Sequence, residues 1–328
     1  MFYILEFTEI EKEVIWGGNS LASLYSKPFS KDKAIGESWE VADLKVEKSI
    51  IKNGEYKDRS LSSLIEEFGL DLLGSNCETF VQEKYFPLLI KLIDAKDKLS
   101  IQVHPDEEYA QKRHNKHGKS EMWYVMEASE KSKLLIGMKE GVSKSTLEKA
   151  ISNKENIENM FNYFDVKKGD AFYIPTGCIH AILGDVVIAE IQTPSDVTYR
   201  LYDWNRVDKN GNSRELHLED SFNVIRDINA FDLRSKRVEK IKDNNITITE
   251  IFSNEFFTTE EYDIINNYSS TTNGDSFEII MVMDGNGSIK SSVENNIIDL
   301  YKGKTVFIPA KLGKYDIEGD IKYLRVTV

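Results

Sequence analysis

The chain has 328 residues, 41% of them apolar, and a formal net charge of −13; that length and apolar share allow a sizeable core in one large domain or two. The acidic balance argues against a broad nucleic-acid or anionic-membrane surface, which needs clustered Lys and Arg to neutralise phosphates, and no stretch reaches the roughly 18 apolar residues of a membrane span. The two cysteines, Cys77 and Cys178, cannot build a disulfide framework, and with no signal peptide in "MFYILEFTEIEKEVIWGG" the reading is a cytoplasmic protein with reduced thiols.

In chain order, residues 1–58 read as short strands and turns, among them "YILEF", "AIGESWEVADL" and "KSIIKNGEY". "SLSSLIEEFGLDLLGSN" reads as a helix with Ser at its N-cap and a Gly-Ser-Asn stop. "LLIKLIDAKDKLSIQVHP" predicts two strands joined by a charged turn around residues 95–98, and "YAQKRHNKHGKS" a loop or short helix. Strands follow at "EMWYVMEA" and "KLLIGM", a helical pattern over residues 143–164, and strands again from 166 to about 203. The charged segment "SKRVEKIKDNN" (235–245) reads as a linker, and the remainder as all-β with Asn-Gly and Asp-Gly turns. The expected organisation is residues 1–234 as one unit with inserted helices and 235–328 as a second β unit.

An internal repeat supports two units. "EMWYVMEA" from Glu121 resembles "EIIMVMDG" from Glu278, and "GDAFYIP" (169–175) resembles "GKTVFIP" (303–309), in the same order. Ungapped alignment puts Lys314 where the first unit has His180, and no histidine follows His217. The second unit is therefore expected to keep the fold and lack an equivalent metal site.

Four residues carry the metal chemistry. Strand alternation sets Gln102 and His104 on one face. An ion held between strands then takes His104, Glu121 and His180, with the Gln102 amide oxygen as a fourth donor. Two imidazoles, a carboxylate and a neutral oxygen suit Zn²⁺ with one position open to water or substrate. His114 and His117 lie in a Lys/Arg-rich stretch and read as a solvated face; Cys178 reads as structural.

The segment Gly169–His180 fits G-x5-P-x-G-x2-H, which is similar to the second motif of the cupin superfamily of jelly-roll β-barrels. The first motif departs from the usual pattern: Gln-Val-His replaces His-x-His, Glu121 lies 17 residues after His104, and Gly184 stands where asparagine is common. Together "WGG" (16–18), "GESWEVAD" (36–43), "LSIQVHPD" (99–106), "KSEMWY" (119–124), "PTGCIHAILGD" (175–185) and "YRLYDWNR" (199–206) resemble type I mannose-6-phosphate isomerases of the short bacterial class.

That resemblance implies a mainly β cupin fold with a second, degenerate cupin-like domain, one Zn²⁺ per chain, and a small sugar phosphate as substrate. It implies interconversion of mannose 6-phosphate and fructose 6-phosphate through a cis-enediol(ate). Arg200 is implied as the active-site arginine, Glu190 as a carboxylate near substrate, and Ser100 and Arg206 as phosphate ligands. Lys119, two residues before Glu121, suits a contact to substrate oxygen, to phosphate, or a proton-transfer role. Glu190, Lys119 and a metal-bound water all stay open as the proton carrier. The competing account of Arg200 and Arg206 is ordinary pairing with Asp203 or Asp208; Trp16, Trp39 and Glu40 match the family without an assigned role. Nucleic acid and membrane are not expected partners, and monomer and dimer both remain open. A non-catalytic sugar-phosphate binder, a cupin oxygenase and a glucose 6-phosphate isomerase are the rival readings.

Overall fold

The computed structural model describes residues 2–207, 210–292 and 297–328, and it is mainly β. The first part of the chain carries β1 (Ile10–Gly18), β2 (Ile35–Val41), β3 (Leu89–Ala95), β4 (Ile101–Val103), β5 (Glu121–Ala128), β6 (Lys133–Met138), β7 (Phe161–Asp165), β8 (Ala171–Ile174), β9 (His180–Ile182), β10 (Val186–Gln192) and β11 (Tyr199–Tyr202). Among the described residues these strands form two sheets, ordered β1-β2-β3-β10-β5-β8 and β11-β4-β9-β6-β7. The sheets pack face to face through a shared core that includes Trp123, Val125, Leu134, Ile136 and Ile182, but they stay separate and do not close into one hydrogen-bonded barrel.

Later residues supply β12 (Val238–Lys242), β13 (Ile246–Ser253), β14 (Thr258–Ile264), β15 (Asn267–Thr271), β16 (Glu278–Ser291), β17 (Ile297–Tyr301), β18 (Thr305–Ile308) and β19 (Lys314–Thr327). They form a third sheet along β12-β13-β14-β19-β16-β17, with β15 on β19 and β18 on β16. The helices are α1 (Ser20–Ser23), α2 (Leu61–Phe68), α3 (Leu70–Leu73), α4 (Glu78–Glu83), α5 (Glu107–His114), α6 (Lys144–Ser152) and α7 (Leu218–Val224). None is long and apolar enough to cross a membrane among the described residues.

The sheet containing β3, β10 and β5 is a middle layer, buried on both faces. Along β5, Met122, Tyr124 and Met126 face a core shared with α2, α3 and the third sheet, while Trp123 and Val125 face the second sheet. A strand buried on both sides must be apolar at consecutive positions, which explains "LLIKLIDA" at β3. Lysine within such a run is then conspicuous. Local capping follows the sequence: the Ser60 hydroxyl accepts from the Ser63 N–H at the start of α2, and the Asp106 carboxylate from the Tyr109 N–H at the start of α5.

The repeat is reproduced residue by residue. Glu121, Met122, Trp123 and Tyr124 pair with Ile174, Tyr173, Phe172 and Ala171. Glu278, Ile279, Ile280 and Met281 pair with Ile308, Phe307, Val306 and Thr305 in the same register. Gly169 and Gly303 open β8 and β18 at φ +88° and +87°, a left-handed turn that favours glycine. The two units pack back to back through equivalent faces of β5 and β16, since Ile279, Met281 and Met283 lie in the same core as Met122, Tyr124 and Met126.

Two sequence expectations need correction. Residues 235–245 are not a linker, because 238–242 form β12, paired with β13. It is an exposed edge strand, and the charged side chains that keep such an edge from pairing with another chain make it read as a linker. The helical pattern over 143–164 ends early: α6 stops at Ser152, Lys154 adopts φ +57°, and Phe161–Asp165 is β7. Its alternating burial is a strand period that a helical count over the whole segment hides. Helices α4 and α7 had no counterpart in the sequence reading.

A polar clasp joins the units beside β5. The Tyr124 hydroxyl donates to Glu261, whose other carboxylate oxygen accepts from Arg237, and Arg237 also donates to the Gly169 carbonyl at 2.6 Å. Burial favours the neutral form of Glu261, but these hydrogen bonds and the charges of Arg237 and Lys322 outweigh it and hold the carboxyl below its usual range. A carboxyl depressed on folding contributes stability that is complete above its unfolded pKa of about 4.3 and is lost as pH falls through the folded value. Glu261→Gln should therefore destabilise the protein by about 1–3 kcal/mol at pH 7. In thermal unfolding across a pH series, its deficit against wild type should shrink below about pH 4.

Candidate metal centre and active site

Between the two facing sheets, one row of directly paired residues crosses β11, β4 and β9: Arg200 opposite Gln102, and Gln102 opposite His180. Cross-strand partners share a face, so these side chains stand side by side, with His104 two residues along the same face as Gln102. A second row crosses the middle sheet: Trp39 opposite Lys91, Lys91 opposite Glu190, and Glu190 opposite Trp123. Glu121 lies two residues before Trp123, on that same face.

The two faces meet at His104, Glu121 and His180, all fully buried, whose ligating atoms lie within 4.8 Å of one another. His104 Nε2 is 3.5 Å from one Glu121 oxygen and His180 Nε2 is 3.4 Å from the other. The opposite ring nitrogens are committed: His104 Nδ1 donates to the Val197 carbonyl at 3.0 Å, and His180 Nδ1 to the Cys178 carbonyl at 2.9 Å. A carbonyl can only accept, so both Nδ1 atoms carry the proton and both Nε2 lone pairs face the carboxylate. Neither Nε2 and neither Glu121 oxygen has a hydrogen-bond partner among the described residues. Lys119 lies 2.9 Å from one Glu121 oxygen, but two imidazole lone pairs and a carboxylate converging in a buried place are still costly, and a divalent cation satisfies all of them. The residues present therefore fit a metal.

Electrostatics agree. Burial, then the nearby Lys119 ammonium, pushes His104 down to about 3, and burial lowers His180 too, so both imidazoles are neutral at pH 7. Burial opposes ionisation of Glu121, but the charge of Lys119, whose Nζ is 2.9 Å away, holds it well below the usual carboxylate range. Cys178 is buried in apolar core, its thiol pushed up to about 12, and does not join the cluster.

The turn before β9 ties two of these residues together. The Gly177 N–H donates to the His104 carbonyl at 2.9 Å, and Cys178 N–H closes back onto Pro175. Gly177 sits at φ +79°, and a Cβ there would lie 2.8 Å from the Val224 carbonyl and 2.6 Å from Arg226.

Above the cluster opens a cavity of about 270 Å³, lined by Ser100, Gln102, Lys119, Glu190 and Arg200 among others. Glu190 accepts from Lys91 at 3.0 Å and from the Trp123 indole at 2.9 Å, with the Lys119 Nζ 3.9 Å away. Burial, reinforced by the charge of Glu121, raises its pKa against the pull of Lys91 and Lys119. Arg200 donates through one Nη to the Glu215 carbonyl at 2.7 Å. Arg206 pairs with Asp203 and donates to the Lys98 carbonyl, and it is not among the cavity-lining side chains; Asp208 falls outside the described residues. His114 and His117 stay apart from the cluster, bonded to Tyr199 and Glu107. Trp16 and Trp39 line the cavity, whereas Glu40 pairs with Lys27 and Ser38.

Sequence reasoning missed Glu37, Lys91, Asp196, Thr198 and Arg214 on the cavity wall. Lys91 had a legible signal, a charge inside an apolar strand. Glu37 sits 3.7 Å from it and accepts from the Trp39 indole.

Comparison with known proteins places this site. Residues 4–155 match the catalytic domain of type I phosphomannose isomerases, and residues 247–328 the cupin domain of mannose-6-phosphate isomerases. Mannose-6-phosphate isomerase ManA of Bacillus subtilis is 33% identical over 317 residues, 96% of each chain. The chain belongs to the type I mannose-6-phosphate isomerase family. Another relative, the mannose-6-phosphate isomerase of Streptococcus mutans, is 32% identical over 94% of this chain and 93% of its own. A crystal structure of the mannose 6-phosphate isomerase from Bacillus subtilis superposes with a TM-score of 0.88 at 30% identity, covering 100% of both chains. Family membership makes the chain an aldose–ketose isomerase of the cupin group.

Two outcomes check the metal centre. Metal analysis of zinc-loaded wild type should give about one Zn²⁺ per chain, and Glu121→Gln or His180→Ala close to none. Gly177→Ala should fold less stably by about 1–3 kcal/mol and bind zinc more weakly in a chelator competition, because the displaced turn carries both His180 and its tie to His104.

Proposed function

We propose that this chain is a metal-dependent mannose-6-phosphate isomerase that converts mannose 6-phosphate to fructose 6-phosphate and back through a cis-enediolate. The observation that carries the reading is the buried, converging set of acceptor atoms on His104, Glu121 and His180, beside a cavity whose walls bear Gln102, Glu190, Lys119 and Arg200. His104, Glu121, His180 and the Gln102 amide oxygen would hold Zn²⁺, which when bound supplies Lewis-acid polarisation of the substrate carbonyl.

The chain's own residues do the rest. The opened sugar lies along β4, with its carbonyl end near His104 and its phosphate end toward Ser100. At about 3.3 Å per residue, Ser100 lies roughly 7 Å from Gln102 along an extended chain, which suits a hexose with its phosphate at the far carbon. Glu190 takes the proton from C2 and returns it at C1 while a second proton passes from O2 to O1, and the raised pKa of Glu190 brings it nearer the neutral range where a general base works best. Lys91 and the Trp123 indole fix the Glu190 carboxylate, and Lys119 sits against substrate oxygen. Arg200 faces the charge that develops on the enediolate oxygens, and Arg206 supports the phosphate end. The accompanying picture is two units, 1–234 and 235–328, in a cytoplasmic protein whose buried Cys77 and Cys178 remain thiols, acting as monomer or dimer.

A coupled assay with mannose 6-phosphate tests the reading. Zinc-loaded wild type should turn over, chelation should abolish activity, and added Zn²⁺ should restore it. Glu190→Gln should lose about 10²–10⁴ in kcat while still binding zinc. Full activity after metal is stripped, or no turnover by loaded wild type, overturns it.

A further inference from the structure

The loop between β11 and α7 brings a second guanidinium to the cavity, beside Arg200. Arg214 lines the wall together with Ser100 and Arg200. It grips Asp203 with two parallel donors, Nε at 2.8 Å and one Nη at 2.5 Å. The same Asp203 oxygen also accepts from Arg206. Arg214 and Arg206 thus share a single carboxylate, with the Arg200 guanidinium near enough to feel both of their charges, in a chain whose net charge is −13.

The segment carrying Arg214 is laced to the catalytic strand. Glu215 offers its carbonyl to the Arg200 guanidinium, the His217 N–H donates to the Arg200 carbonyl at 2.8 Å, and His217 Nδ1 accepts from the Arg200 N–H at 3.1 Å. Asp203 and this ladder hold Arg214 in place before any ligand arrives, so little side-chain entropy is lost on binding. The Nε atoms of Arg200 and Arg206 are buried without a hydrogen-bond partner among the described residues. Burial and the charges of Arg214 and Arg206 hold Arg200 below its ordinary value, so the cluster is short of negative charge.

We propose that Arg214 is a phosphate-binding residue that Asp203 holds ready, and that it selects for phosphorylated over free sugars at this site. The assignment rests on the sugar-phosphate reading above. Nε and one Nη are spent on Asp203, which leaves the other Nη to address the ligand. A phosphate monoester dianion is a ligand whose charge suits guanidinium groups that share one carboxylate, and they meet its oxygens in well-directed hydrogen bonds. Asp203 is a positioning residue: it orients Arg214 and Arg206 without meeting the ligand.

Calorimetric titration of the full zinc-loaded chain with inorganic phosphate tests this without relying on turnover. Wild type should bind phosphate, and Arg214→Ala should bind it about 10-fold or more weakly, as expected for one charge-assisted hydrogen bond lost. Arg214→Lys, which keeps the charge and the fold, should fall between them. In the assay, the KM of Arg214→Ala for mannose 6-phosphate should rise by a similar factor while kcat changes far less. Phosphate affinity within twofold of wild type in Arg214→Ala, or in Arg214→Lys if the first variant does not fold, overturns the proposal, as does a wild type that binds no phosphate at millimolar concentration. A wild type that binds phosphate but does not isomerise mannose 6-phosphate defeats the functional reading and leaves Arg214 standing.

Discussion

Everything around the site answers one electrostatic demand: two imidazole lone pairs and a carboxylate point at one another in a place water does not reach. Left alone, such a cluster repels itself and wants protons. The fold denies the imidazoles theirs by giving both Nδ1–H groups to backbone carbonyls and by setting Lys119 beside them. Strand pairing supplies the precision. Gln102 and His180 are opposed across β4 and β9, and Glu121 arrives from the other sheet on a strand wedged between two hydrophobic layers.

The second unit shows the same scaffold relieved of that demand. Glu278 occupies the position of Glu121, and Arg325, opposite Ile280, occupies the position of Glu190, opposite Trp123. Arg325 donates to Glu278 at 2.8 Å, and the Tyr315 hydroxyl donates to it at 2.6 Å. A carboxylate that faces two imidazoles in one unit meets a guanidinium and a phenol in the other. Inverting one charge at one paired position lets the same register serve packing where it elsewhere serves chemistry.

Much of this was legible from sequence because the signals are local. Turn glycines, the Pro-Thr-Gly-x-x-His spacing and the i, i+2 relation of Gln102 and His104 each depend on a few neighbouring residues, and the repeat pointed to two related β units. What escaped depends on partners distant in the chain. Lys91 becomes meaningful only once Glu190, 99 residues later, is known to lie opposite it. Arg214 reaches the cavity through a loop whose course no periodicity reveals. β12 is the opposite case, a strand whose edge position gives it the composition of a tether.

The chain's first strand-like residues lie against its last. Leu5 bridges Phe307 with hydrogen bonds of 2.8 and 2.9 Å in both directions, Lys304 pairs with Glu6, and Tyr3, Leu5 and Phe7 share a core with Phe277, Phe307 and Leu324. This ribbon's other edge rests on residues close in the chain, since Phe7 bridges Ile51, the Lys52 N–H donates to the Glu6 carbonyl and Tyr3 stacks on Tyr56. Nearly the whole chain is one loop closed by the contact of Leu5 with Phe307, a slow and entropically expensive closure. The ribbon therefore stitches a local partner to a distant one, and removing β18 would uncover one of its edges while leaving the other paired.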